Sequence, residues 1–108
     1  MNAFRLALIC LVFYTSTSYG QSHNVEFKKG WAAVKQGDFL RASKILEPIA
    51  KQGDSNAQYV LGYLYERGKG VSKNLKKAAA WYELSAVQGN RQSQFAFGSL
   101  YAFGDGVP

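Results

Sequence analysis

A chain of 108 residues, 47% of them hydrophobic and 19% charged, has the material for one small core, and its composition is that of a folded globular protein rather than a disordered one. Thirteen Lys and Arg against seven Asp and Glu give a formal charge of +6, but the basic residues are scattered, so the concentrated stripe of a nucleic-acid binder is missing and no nucleic-acid partner is expected. One Cys and one His exclude a disulfide framework and a protein-built zinc site, and no metal or cofactor is expected.

Residues 1–20 read as a secretory signal peptide. Arg5 supplies the positive start, residues 6–14 an apolar run, residues 15–18 a polar stretch, and Ser18-Tyr19-Gly20 the small residues that a signal peptidase reads. Cleavage is expected after Gly20, which leaves residues 21–24 as a short tail carrying His23. The apolar run is far shorter than the roughly 20 residues that span a bilayer, so no stable membrane span is expected after cleavage. A lipidated Cys10 fits poorly, because bulky Ile9 precedes it and the apolar run continues past it. Loss of Arg5 with the leader leaves 12 basic and 7 acidic residues, a charge of +5. Such a surface attracts anionic polymers of a cell envelope.

Residues 25–53 form a first helix pair. The string from Gly30 to Phe39 holds a tight Gly37-Asp38 turn, with Asp38 as the cap of a helix carrying Ala42, Ile45 and Leu46. Pro48 disfavours helix at Glu47, so this helix is expected to kink or break there.

Beyond it the sequence repeats. The segment from Ala57 to Val71 returns as Ser93 to Val107, an offset of 36 residues. Gln58, Gly62, Leu64, Tyr65, Gly68, Gly70 and Val71 recur as Gln94, Gly98, Leu100, Tyr101, Gly104, Gly106 and Val107. The same offset carries Ala42, Glu47, Ala50, Gln52 and Gly53 onto Ala78, Glu83, Ala86, Gln88 and Gly89. A period of this length marks a stacked array of helix pairs. On the first helix of the unit, Ala57, Val60, Leu61, Leu64 and Tyr65 share one face; on the second, Leu75, Ala78, Ala79, Tyr82 and Ala86 do. Asp54 or Asn56 is placed to cap the first helix and Asn74 the second, and Gly53 and Gly89 sit where helices end. Gly62 and Gly98 each cost a helix about 1 kcal/mol against Ala. A repeated cost implies a close approach, with Ala78 and Ala79 as the neighbours, while Trp81 and Tyr82 supply area for the interface with the next unit. Gly68-Lys69-Gly70 follows a helix rather than a strand, and Lys73 stands where a dinucleotide fingerprint needs its third glycine, so the glycines read as a turn between helices.

This pattern resembles the Sel-one-like repeat, a relative of the tetratricopeptide repeat. The residues that carry the resemblance are Ala57, Leu61, Gly62, Tyr65, Gly68, Gly70, Val71, Ala78, Trp81, Tyr82, Ala86 and Gly89. In the second copy they are Gly98, Tyr101, Gly104 and Gly106, with Ser93 replacing the usual Ala and Phe97 the usual Leu. On this reading residues 54–89 are one repeat and 90–108 an incomplete second one, while 25–53 resembles a plain tetratricopeptide pair. The resemblance implies an all-α fold, a right-handed α-solenoid of antiparallel helix pairs, in an exported bacterial member of the family, periplasmic or secreted. It also implies a concave face that binds a protein or peptide. Aligned to the tetratricopeptide pattern, that face carries Asn56, Tyr59, Tyr63, Glu66, Phe95, Ser99 and Ala102. The unit opened at Asn90 stops before its second helix, so the chain is expected to be truncated, with Phe95, Phe97, Tyr101 and Phe103 left without a partner helix.

The function expected is that of a scaffold for protein–protein interaction, without catalysis. One alternative is an enzyme acting on cell-wall material or β-lactams. Some disulfide-rich family members are linked to β-lactams, but their helix-pair cysteines are absent here. Serines 43, 55, 72, 85, 93 and 99 also lack a His–Asp system to activate them. The other alternative is a module that binds an envelope polyanion through its basic surface, while Lys69, Lys73, Lys76 and Lys77 themselves read as solvated charge.

Overall fold

The structure is a computed structural model and describes residues 24–104. The leader with Cys10 and the expected cleavage site, the tail residue His23, and Gly106 lie outside the described residues. Within them the chain is all-helical: α1 over 24–35, α2 Phe39–Lys51, α3 Ser55–Arg67, α4 Leu75–Val87 and α5 Arg91–Ala102. The first helix already includes residue 24, which the sequence assigned to a tail.

Four helices begin with the same chemistry. The side chains of Asp38, Asp54, Asn74 and Asn90 accept the backbone N–H three residues on, from Arg41, Ala57, Lys77 and Ser93, at 3.3, 2.9, 3.0 and 2.9 Å. Each bond satisfies a donor that the first turn otherwise leaves without a partner. Asp54 is thus the cap of α3, and Asn56 lies inside the helix. Gly53 and Gly89 follow α2 and α4 with φ of +105° and +95°, a backbone region that a side chain would strain.

Pro48 does not break α2. The helix runs through it to Lys51, and the Pro48 carbonyl accepts the Gln52 N–H at 3.1 Å. Proline removes one N–H donor, but burial of Ala42, Leu46, Ile49 and Ala50 on one face holds the helix together around the gap.

Two apolar clusters form the core. The first joins Ala33 of α1, Ala42, Leu46, Ile49 and Ala50 of α2, and Ala57, Val60, Leu61 and Leu64 of α3. The second joins Ala78, Ala79 and Tyr82 of α4 with Leu100 of α5. Helix α3 packs on both α2 and α4, and α4 packs on α5. Each helix therefore leans on its neighbours in the chain, the arrangement of a solenoid.

The glycines separate into packed and open positions. A Cβ on Gly62 would stand 2.7 and 2.8 Å from Cδ1 and Cε1 of Tyr82 and 3.3 Å from the Ala78 carbonyl. The close approach expected there is real, but its neighbour is the Tyr82 ring rather than Ala79. Gly30 makes the same kind of contact, with Leu46 Cδ2 at 2.6 Å from the Cβ position. Gly98, the repeat equivalent of Gly62, has nothing within 4 Å of that position among the described residues. Trp81 corrects another expectation. It packs against the first cluster, toward the preceding helices, while Tyr82 shares the second cluster with Leu100 of the following helix.

Polar stitches fix the register between units. Gln58 Nε2 donates to the Ala50 carbonyl at 3.0 Å, and Gln94 Nε2 donates to the Ala86 carbonyl at 3.1 Å, the same bond one repeat on. The buried Ser93 hydroxyl donates to Ser85 Oγ at 2.7 Å, and Ser85 donates to the Ser55 carbonyl at 2.7 Å. This chain ties α5 to α4 and α4 to α3. It accounts for a serine at position 93: an alanine there would leave Ser85 with one bond fewer.

Candidate functional site

A groove of about 610 Å³ opens between α3 and α5. The α3 wall carries Tyr59, Tyr63, Glu66 and Arg67, which follow at i, i+4, i+7 and i+8 and so share a helix face. The α5 wall carries Arg91, Gln92, Phe95, Ala96 and Ser99, and Tyr82 of α4 also lines the groove. Five of the seven residues assigned to the concave face therefore meet in one groove: Tyr59, Tyr63, Glu66, Phe95 and Ser99. Asn56 and Ala102 are exposed but do not line it. Asn56 instead accepts a hydrogen bond from the Asn90 side chain at 3.4 Å, across the start of α5.

The groove is aromatic, and one of its rings is bare. Phe95 is 79% exposed and stands in the groove, whereas the equally exposed Phe103 lies outside it. Tyr59 and Tyr63 are half-buried, and the Tyr59 ring lies 5.9 Å from the Tyr82 ring, tilted by 35°. The Arg67 guanidinium stands 5.8 Å from the centre of the Tyr63 ring, an attraction worth about 0.5–1 kcal/mol at an exposed site.

Tyr82 is the fixed point of the groove. Its ring is buried against Gly62, and its hydroxyl donates to Glu66 Oε2 at 3.0 Å. Burial pushes the phenol well above its ordinary range, and the charge of Glu66 and its hydrogen bond push the same way. Tyr82 therefore stays a neutral donor at physiological pH and holds one oxygen of Glu66 in place.

Five residues of the groove were missed by the sequence alignment: Arg67, Arg91, Gln92, Ala96 and Tyr82. Helical spacing carried a signal for four of them. Arg67 follows Tyr63 by four, Arg91 and Gln92 precede Phe95 by four and three, and Ala96 follows Gln92 by four. Tyr82 is a core residue by its pattern, and only the missing Cβ of Gly62 lets its hydroxyl reach α3.

A second, more polar recess of about 450 Å³ shares Glu66 and Arg67 with the groove and adds Lys73, Leu75 and Leu100. In the lysine cluster from 69 to 77, Lys69 and Lys77 lie over the rings of Phe39 and Tyr65 at 4.8 and 5.4 Å. Four of the carboxylates have structural partners too: Asp38 and Asp54 cap helices, Glu26 pairs with Lys29 and Glu47 with Lys51. Among the described residues no group of three His, Cys, Asp or Glu could hold a metal ion, and no helix is long and apolar enough to cross a membrane.

Successive helix pairs, a glutamine-to-carbonyl bond repeated one unit on and a groove between first helices define an α-helical repeat protein of the solenoid class. The Sel1 repeat matches residues 55–90 and 91–108, half of the chain. The chain belongs to the Sel1 repeat family. It is 49% identical over 37 residues to the chitin synthase regulator SKT5 of Saccharomyces cerevisiae, covering 34% of this chain and 5% of that protein. It is 54% identical over 37 residues to the putative sel1-like repeat-containing protein L18 of Acanthamoeba polyphaga mimivirus, covering 34% of this chain and 6% of that protein. Among solved structures it is similar to a Sel1 repeat protein from Oxalobacter formigenes, with TM-score 0.71 and 34% identity over 76% of this chain and 33% of that one. It is also similar to c5321, a protective antigen of uropathogenic Escherichia coli strains displaying an SLR fold, with TM-score 0.72 and 32% identity over 79% of this chain and 19% of that one. The chain spans about a twentieth of the length of the curated relatives and a third or less of the solved ones.

Proposed function

We propose that this chain is an exported scaffold that binds a segment of a partner protein in the groove between α3 and α5. Sel1 repeat proteins are in general scaffolds for protein interaction, and the chain's family membership supports the same role here. The observation that carries the reading is the bare Phe95 ring, in one groove with the half-buried rings of Tyr59 and Tyr63. Aromatic residues in a recess are the side chains that dominate protein interfaces, because they bring large apolar area at low conformational cost. The leader's positive start, apolar run and small-residue ending support export, to the periplasm or beyond the cell.

A photo-cross-linking side chain tests the assignment. Placed at Gln92, in the groove, it gives an adduct in the native host that Phe95→Ala abolishes. Placed at Lys44, exposed on α2 and away from the groove, it gives none. Equal adducts at both positions refute the groove as the binding site. Export is checked separately by the mass of the mature protein, which begins at Gln21 if the leader is cut after Gly20.

A further inference from the structure

We propose that the groove selects an acidic partner segment, one with an aromatic or large aliphatic residue flanked by carboxylates. This rests on the reading of the groove as a protein-binding site and adds the chemistry of its occupant. The argument is one of charge complementarity around an apolar centre. Arg67 stands on the α3 wall and Arg91 on the α5 wall, both exposed, and Lys73 lines the adjoining recess. Among the described residues the ion pairs are Glu26–Lys29 and Glu47–Lys51, so none of these three cations is held by a described carboxylate. The one acidic residue lining either recess is Glu66, and Tyr82 already donates to one of its oxygens.

An incoming carboxylate therefore breaks no internal ion pair to reach the arginines. A basic segment meets like charge on both walls, and like-charge juxtaposition is an effective means of rejecting the wrong partner. Between the arginines lie Phe95, Tyr59 and Tyr63, which give an apolar residue of the segment a place to bury. Arginine suits the task, since its planar guanidinium grips a carboxylate with two parallel donors. The Arg67 guanidinium is already poised over the Tyr63 ring, so ordering it on binding costs little.

The test is to pan a displayed library of random peptides on the full chain. Enriched sequences should carry Phe, Tyr, Trp or Leu with Asp or Glu on both sides. For a synthetic peptide of that kind, replacing its carboxylates by amides should weaken binding about tenfold. The double substitution Arg67→Gln, Arg91→Gln should weaken the acidic peptide by a similar factor and leave the amide peptide unaffected. Both arginines are exposed, so folding is not at stake, and circular dichroism verifies it. Enriched peptides that lack carboxylates but lose affinity with Phe95→Ala overturn the acidic selection and leave the binding groove standing. Peptides insensitive to Phe95→Ala, or no enrichment at all, overturn the groove as well. Inorganic polyphosphate that displaces the peptide at equal anion concentration shows recognition of charge alone, which also contradicts the proposal.

Discussion

Gly62 and Gly98 occupy the same position in consecutive repeats, yet alanine should act on them in opposite directions. At Gly62 the new methyl would lie 2.7 Å from the Tyr82 ring and 3.3 Å from the Ala78 carbonyl, and Tyr82 is only 1% exposed. The ring has nowhere to retreat without opening the second cluster. Overpacking of this kind costs about 1–3 kcal/mol, while the helix gains about 1 kcal/mol when Ala replaces Gly. Gly62→Ala should therefore destabilise the chain by up to about 2 kcal/mol. At Gly98 nothing among the described residues lies within 4 Å, so the helix term acts alone and Gly98→Ala should stabilise by about 0.5–1 kcal/mol. Urea unfolding followed by circular dichroism measures both, and the two midpoints should fall on opposite sides of the parent. Two alanines that shift the midpoint equally and in the same direction would refute the glycine–tyrosine contact.

Three further substitutions probe the polar framework. Tyr82→Phe removes the bond to Glu66 and should cost about 1–2 kcal/mol at neutral pH, read by the same unfolding assay. Because the phenol is raised in the folded state, its contribution is complete below its ordinary value of 10.0 and falls as pH rises above it. Stability of the parent should then drop by up to about 1.4 kcal/mol per pH unit from this group, and Tyr82→Phe should drop less steeply. Ser85→Ala takes the acceptor from buried Ser93 and the donor from the Ser55 carbonyl, and a loss of about 1–3 kcal/mol in urea unfolding is expected. Pro48→Ala restores a backbone donor inside α2 at an exposed position and should raise stability by about 1–2 kcal/mol, seen as a higher melting temperature.

The repeat, the helix starts and much of the core were legible because each depends on local chemistry. An Asx residue before an apolar periodic run announces a helix start, and the structure has one at Asp38, Asp54, Asn74 and Asn90. The glycines were legible as a repeated pattern but not as contacts, since Gly62 and Gly98 are identical in sequence and differ only in what stands opposite. Trp81 and Pro48 misled for a related reason. The direction in which a helix leans its aromatic face, and the burial that carries a helix past a proline, are tertiary effects. The groove was half legible. Alignment placed Tyr59, Tyr63, Glu66, Phe95 and Ser99, but the cations at Arg67 and Arg91 lie one turn away on the same faces, where the family pattern is silent.

The central claim is that a partner segment lies between α3 and α5. It is tested most directly by titrating the isotope-labelled chain with a bound peptide and following its amide resonances by NMR. The account predicts that shifts concentrate at Tyr59, Tyr63 and Arg67 on one wall and at Gln92, Phe95 and Ser99 on the other, with α2 undisturbed. Shifts confined to α2, or to the lysines at the start of α4, would contradict it.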